Sequence, residues 1–437
     1  MARRVFLHVG TPKSGTSFLQ GVVHGEKQTL SEKGLLVPLG PVEHFRATQA
    51  VREIADPESG SRSLGTRAWR ALVDASRAWP GDVLITHELF AGADAGQVGR
   101  AVSALHPADV HVIITARDLL RQIPAEWQEH VKHGATIGLD DFVRAVTTGG
   151  AGAAWFWRVQ DVADLAGRWA RQVERANVHI VTVPPRGAAP DVLWKRFASV
   201  VGIDPDSCRV EAERSNESLG TVEVEFLRRV HLNRGKRFRT TGQHNLFKDR
   251  LAHRVLSQHE DLRRFGINQE AQRWAVERST AMVEELSGAG YSIVGNLDDL
   301  IPPGFDLAAD PGEVTADELA AVGVDTAVAL LAMLRDELAR VDRLRGQLDG
   351  ARAQADGARA QADDAGARAR DAEARAQEAS TRAAETAQEL QRWARRPIRE
   401  KLIASSAERR QLMRLRTTYW KAANGARRIR RWLGSAG

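Results

Sequence analysis

Cysteine is almost missing from this chain. Cys208 is the single one in 437 residues, which excludes an internal disulfide framework and any multi-cysteine zinc site. Long apolar runs are missing too: no stretch approaches the roughly 18 residues a bilayer-spanning helix needs. The sequence opens Met-Ala-Arg-Arg and passes straight into an apolar segment. No signal peptide or Golgi-type anchor is therefore expected, and the expected site of action is cytoplasmic. Charge of one sign is also scarce except at one end. From Arg392 onward, 14 lysines and arginines face only Glu400 and Glu408, a local +12 that leaves −6 on the rest of a chain whose total is +6. The basicity belongs to the tail. Apolar residues make up 43%, enough for one large domain with extensions, or for two domains.

The most informative stretch is Arg4–Gln20. Val5–Val9 reads as a buried strand, Gly10-Thr-Pro-Lys-Ser-Gly15 as a tight turn, and Thr16 and Ser17 open an amphipathic helix carrying Phe18, Leu19, Val22 and Val23. A strand, a glycine turn and a helix N-terminus converge backbone N–H groups and the positive end of a helix dipole on one spot, which suits an anion. The nucleoside-triphosphate loop, Gly-x4-Gly-Lys-Ser/Thr, has the same glycine spacing but needs its lysine where Thr16 stands. Here the only lysine is Lys13, inside the turn. It can reach a phosphate across the loop mouth and follow charge onto a bridging oxygen, an arrangement for a donor shorter than a triphosphate.

Apolar segments at 34–38, 83–87, 110–115 and 178–183 alternate with helical patterns at 66–79, 95–105, 118–133, 161–177 and 191–201. That alternation predicts βαβ units around a mostly parallel sheet, a three-layer α/β/α sandwich. Residues 218–286 read as all-helical, and a Pro-Pro-Gly break at 302–304 closes the domain. The expected organisation is a domain over 1–301, a linker over 302–314, a coiled coil or helical stalk over 315–396, and a basic, partly disordered tail over 397–437. Leu330, Leu334, Val341, Leu344 and Leu348 fit a heptad seam with Glu337 as its misfit, and an alanine stripe continues it from Ala351 to Ala383. Alanine buries little area, so the leucines should carry most of any homodimerisation. Arginines interleaved with Tyr419, Trp420, Trp432 and Leu433 suit peripheral contact with an anionic membrane face. Charge alone would also admit nucleic acid, which is not the expected partner.

Thr11-Pro-Lys-Ser-Gly-Thr-Ser17 resembles the 5′-phosphosulfate loop of sulfotransferases that use 3′-phosphoadenosine-5′-phosphosulfate (PAPS), which in cytosolic members reads Tyr-Pro-Lys-Ser-Gly-Thr. The resemblance covers residues 1 to about 300. It implies a P-loop-like sulfotransferase fold, PAPS as co-substrate, no metal requirement, and a hydroxyl-bearing small-molecule, glycan or glycolipid acceptor. The alanine- and arginine-rich composition suggests a bacterial, actinobacterial member carrying a coiled-coil extension. Lys13 would stabilise the bridging oxygen, and Ser14, Gly15, Thr16 and Ser17 would hold the 5′-phosphate; Thr16 and Ser17 also suit helix capping.

In that family a strand followed by an arginine, with a serine eight residues on, holds the 3′-phosphate. Val110–Arg117 fits the first part, but Ala125 stands where the serine would, so Arg121 or Gln128 is expected to supply the second contact. Asp82-Val-Leu-Ile-Thr-His-Glu88 delivers His87 and Glu88 as alternative bases, with Glu88 favoured from bacterial relatives. His8 reads as a packed group below the loop. Arg186-Gly187 could approach the 3′-phosphate, although the Arg-Lys-Gly run of cytosolic enzymes is missing. Trp127, Trp155 or Trp157 could stack on adenine or a sugar, or simply be core. Ser215–Gly220 reads as a helix cap. Two other functions fit parts of the sequence: a small-molecule kinase using Asp118 or Glu88 for magnesium, and an inactive scaffold acting through its coiled coil and tail.

Overall fold

The computed structural model describes residues 2–56, 60–210, 219–235, 246–259, 262–263, 266–302, 314–397 and 406–433. Contacts divide the chain into two compact units, Met1–Leu331 and Ala332–Gly437.

The first unit is built on six strands: β1 (Arg4–Gly10), β2 (Leu35–Leu36), β3 (Asp82–Thr86), β4 (Asp109–Ala116), β5 (Val178–Thr182) and β6 (Ser292–Val294). Their order is β2-β3-β1-β4-β5-β6, and every neighbouring pair is parallel. Successive strand residues face opposite sides. Phe6, Leu84, Ile113 and Val181 pack on one side against Leu19, Val22 and Val23 of the helix Thr16–Gly25 and Leu193, Trp194 and Phe197 of the helix Val192–Val201. The alternate set, Val5, Leu7, Val9, Val83, Ile85, Val112 and Ile114, is equally buried. A sheet covered on both faces explains why its strands read as continuous apolar runs. Fully burying each of these side chains contributes about 1.5–3 kcal/mol. The expected α/β/α sandwich is the observed architecture.

Local boundaries differ from the sequence reading in instructive ways. β2 keeps only two of the five residues expected to be extended, and β6 is too short to stand out as a pattern. Helices at Pro41–Val51, Leu139–Thr148 and Ala154–Gln160 were not anticipated. Pro41 at the first helical position, with the Glu43 carboxylate accepting from the Gly40 N–H, is a start signal present in the sequence. The expected helix over 161–177 stops at Trp169. Of the cap expected at 215–220, residues 215–218 lie outside the described residues; Gly220 is the N-cap of the helix Thr221–Asn233.

The chain switches direction across the sheet at β1. β2 and β3 lie to one side of it and β4, β5 and β6 to the other. The carboxyl ends on either side of such a switch leave a crevice, where open α/β sheets bind ligands.

The long helix Ala316–Ala394 begins within the first unit, where Glu318 pairs with Arg263. In the second unit Leu334, Leu344 and Leu348 of this helix are each more than half exposed. A second helix, Ser406–Leu433, occupies much of the expected tail; residues 398–405 and 434–437 lie outside the described ones. Its Tyr419 and Ala423 line one cleft with Ala383, Ala384 and Ala387, so the end of the alanine stripe packs against the chain's own C-terminal helix.

Candidate active site at the sheet switch point

Three strand ends meet here. β1 runs into the turn Gly10–Gly15, whose backbone is left-handed at Gly10 (φ 94°), Lys13 (φ 60°) and Gly15 (φ 80°). Glycine is required at position 10 for a second reason. A Cβ there would stand 2.8 Å from the Cα of Glu88, so the backbone after β3 presses directly on the loop. Lys13 carries a side chain in a conformation that L-residues disfavour, which is costly and is found where a site demands it. Gly15 is the N-cap of the helix Thr16–Gly25 and no side chain caps that helix.

Under the loop runs a hydrogen-bonded chain. Nδ1 of His8 lies 2.8 Å from Thr86 Oγ1, Nε2 lies 3.3 Å from Thr115 Oγ1, and Thr115 Oγ1 lies 2.6 Å from Ser14 Oγ. Burial lowers the His8 pKa to about 4, so the ring is neutral and links β3, β1 and β4 without a charge. Ser14 also donates to the Thr11 carbonyl and is wholly buried. The expectation that its hydroxyl faces a phosphate is therefore corrected: the hydroxyl braces the turn. Thr16 is 3% exposed, whereas Ser17 is exposed.

Arg117 follows β4 and donates through Nη1 to the Lys13 carbonyl at 3.0 Å. Its Nε is buried and has no partner among the described residues. Burial first, then repulsion from Arg121 and Arg186, lowers its pKa to about 10 despite Asp118. Arg121 itself is engaged: Asp118 takes its Nε, and the Pro184 carbonyl accepts from Nη1 at 3.2 Å. Gln128 donates to the Leu219 carbonyl at 3.1 Å. Both residues already hold protein partners, and the charge of exposed Arg186 also reaches Arg117.

Both candidate bases lie beyond β3: the strand ends at Thr86, His87 follows it, and Glu88 starts a 3-10 turn (Glu88–Gly92). His87 Nδ1 accepts from the Leu89 N–H at 3.2 Å, so that nitrogen is unprotonated. Burial pushes the His87 pKa down. Glu88 Oε2 accepts from Gln20 at 2.8 Å. Burial would raise the Glu88 pKa, but His87, its own N–H and Gln20 outweigh this and hold it below the usual value.

The Lys13 ammonium donates to Glu129 Oε2 at 2.5 Å. Glu129 Oε1 accepts from Lys248 at 2.8 Å and sits 2.9 Å from His133 Nε2. Burial opposes its ionisation, yet His133, Lys13 and Lys248 hold its pKa far below the ordinary carboxylate range. The tryptophans considered as stackers are engaged in packing: Trp127 donates to the Ile137 carbonyl, Trp157 to that of Val146, and Trp155 lies under Arg52.

Residues 336–397, within the long helix and just past its end, match a family model described as "Alanine-zipper, major outer membrane lipoprotein". A solved sulfotransferase is also similar. That protein, from Alicyclobacillus acidocaldarius, is 17% identical, with 49% of this chain and 87% of that chain covered and a TM-score of 0.35. No curated protein matches the sequence.

Several contributors had escaped the sequence reading. Gln122 and Gln160 both donate to the Pro12 carbonyl, at 2.8 and 3.0 Å, and Gln160 also donates to Glu126 Oε1 at 2.9 Å. Gln122, Glu126 and Glu129 are spaced four and three along the helix Leu119–Lys132, a polar stripe on one face. That spacing is the signal the sequence carries for them.

Proposed function

We propose that the first unit is a PAPS-dependent sulfotransferase. The observation that carries this reading is Arg117: a half-buried guanidinium whose buried Nε has no partner among the described residues and whose pKa is lowered, beside a lysine-bearing turn at the switch point. A cation with a desolvated N–H that lacks an acceptor suits an incoming anion.

The fit is to a bisphosphorylated donor. The open N-terminus of the helix Thr16–Gly25, with Gly15, Ser17 and Lys13, would hold the 5′-phosphosulfate; Thr16 contributes its N–H. Arg117, assisted by Arg186 and by the field of Arg121, would hold the 3′-phosphate, since a guanidinium fork matches a phosphate dianion. Lys13 has three N–H donors, so it can keep Glu129 and still turn one toward the bridging oxygen. The acceptor oxygen attacks sulfur, the bond from sulfur to the bridging oxygen breaks, and the electron pair leaves on adenosine 3′,5′-bisphosphate. The acceptor proton goes to Glu88. His87 suits this less, because a ring that accepts at Nδ1 carries its proton on Nε2. Among the described residues no donor from another residue reaches Glu88 Oε1. The kinase reading loses Asp118, whose carboxylate is engaged by Arg121 and caps its own helix.

The exposed leucine seam of the long helix supports a parallel proposal, homodimerisation. The partner is a second copy of this chain, because a heptad seam with charged flanks recognises another such helix. The last alanines already line a cleft with the chain's own C-terminal helix, so pairing would lie in the leucine portion.

Calorimetry with adenosine 3′,5′-bisphosphate and with magnesium-ATP tests the enzyme reading. Binding of the bisphosphate with little response to ATP is expected; the reverse would overturn it.

A further inference from the structure

The last turn of the helix Leu119–Lys132 carries a lysine that the proposed reaction does not use. Lys132 is 2% exposed. Among the described residues, no hydrogen bond or ion pair reaches its ammonium. Lysine is rarely buried this far without a partner. The nearby anion, Glu129, is already occupied at both oxygens, Oε2 by Lys13 and Oε1 by Lys248 and His133. Glu126 does not redress the balance: burial raises its pKa and favours the neutral acid, and Gln160 donates to its Oε1. Three ammonium groups therefore face the Glu129 carboxylate, and the other anion acting on the cluster, Asp249, bears on His253. Burial, and then Lys13 and Lys248, lower the Lys132 pKa to about 8, and burial, followed by Lys132 and Lys248, lowers that of His253.

Lys13 stands between this cluster and the donor loop. Its backbone carbonyl receives Arg117, while its ammonium reaches Glu129. The helix Leu119–Lys132 separates the two ends by about 20 Å, at about 1.5 Å per residue. The Arg117 end is supplied with cations from β4 and from the loop after β5. The Lys132 end is supplied from the segment Leu246–His253, outside the sheet.

We infer that Lys132 and Lys248 form a subsite for an oxyanion carried by the acceptor: a sulfate, phosphate or carboxylate group borne on the molecule whose hydroxyl is sulfated. This rests on the sulfotransferase reading, which puts the donor on the Arg117 side of Lys13. The acceptor's anion then completes a cluster that the fold leaves with surplus positive charge, and it orients the hydroxyl toward the transferring group.

The test is calorimetric titration of inorganic sulfate into the full chain saturated with adenosine 3′,5′-bisphosphate. Binding of one sulfate is expected. It should weaken at least tenfold in Lys132→Met and in Lys248→Gln, persist in Lys132→Arg, and leave the bisphosphate affinity of Lys132→Met unchanged. Thermal melting checks folding; Lys132→Met, which removes a buried charge, should melt no lower than the parent. The inference is overturned if the bisphosphate-loaded chain takes up no sulfate, or if Lys132→Met binds it as well as the parent does. It also fails if sulfate binds only when the bisphosphate is absent, which would assign the cluster to the donor. If the bisphosphate itself does not bind, the sulfotransferase reading fails separately, and sulfate titration of the unloaded parent against Lys132→Met still decides whether Lys132 holds an oxyanion.

Discussion

Replacing Arg117 by methionine should move stability and binding in opposite directions. In the ligand-free chain the guanidinium is a burden: its pKa drops from 12.5 to about 10, so its charged form is about 3 kcal/mol less favourable in the folded state than in the unfolded one. The sign is the same throughout neutral pH. A cation with a lowered folded-state pKa destabilises the fold wherever it is protonated, and the cost fades only as pH rises through that pKa. Against this stands the bond to the Lys13 carbonyl, which contributes about 1.5–3 kcal/mol as a charged hydrogen bond. The net expectation is a ligand-free variant as stable as the parent or more so, by up to about 1.5 kcal/mol, a rise of a few degrees in melting temperature. Binding should suffer heavily. Losing one or two charge-assisted bonds to a phosphate dianion costs about 1.5–3 kcal/mol each, or roughly 10- to 100-fold in dissociation constant per bond. Differential scanning calorimetry with and without adenosine 3′,5′-bisphosphate reads both effects. A variant that melts several degrees lower and still binds the bisphosphate normally would refute the reasoning, because Arg117 would then be a structural bond and not an anion receptor.

Glu88→Gln should lower turnover by about 10²–10⁴-fold as the loss of a general base, with His87→Gln the milder change. Because the Glu88 pKa is held below its ordinary 4.5, kcat/KM should stay flat as pH falls toward that value and decline only below it; a limb near 6 that survives in Glu88→Gln would transfer the role to His87. Gly10→Ala forces a left-handed alanine against the Glu88 backbone and should cost about 2–4 kcal/mol, read by urea denaturation; an unchanged midpoint would show that the loop and the β3 end are not in contact. Leu334→Glu with Leu344→Glu should convert a dimer to a monomer in sedimentation equilibrium while leaving bisphosphate binding intact, and a parent that is already monomeric at micromolar concentration refutes the seam. The helix Ser406–Leu433, with Trp420 exposed among arginines, should bring the chain down with vesicles containing anionic lipid at low salt and release it at high salt; equal binding to neutral vesicles would remove the electrostatic account.

The sheet was legible because parallel strands buried on both faces leave an apolar signature that nothing else in the chain imitates; Val5–Val9 and Val110–Thr115 stand out for that reason alone. The loop was legible because its glycines are fixed by backbone geometry, and geometry of that kind is written in the residues that bear it. What could not be read was the direction of polar side chains. Ser14 and Ser17 are equivalent as letters, yet one braces the turn from below and the other is exposed. Arg121 carries a guanidinium suited to phosphate, but Asp118 three residues earlier holds it. Pairings across distance, such as Lys13 with Glu129, lie 116 residues apart and become visible only once the strand order is known.

On the proposed reading, that strand order also accounts for a lysine inside the turn where the triphosphate loop puts its lysine at the helix start. With β1 central, one neighbour delivers Glu88 against Gly10 and the other delivers Arg117 onto the Lys13 carbonyl. The loop is thus gripped from both sides by backbone contacts and needs no cation of its own at the helix N-terminus, where the helix dipole already acts. Lys13 is freed to point outward along the helix Leu119–Lys132, toward Glu129. A lysine at position 16 would lie on the helix's first turn, at a residue only 3% exposed, where its ammonium would lose its water. Lys13 thus has its backbone in the turn and its ammonium on Glu129, and it does so with a left-handed backbone that L-residues disfavour.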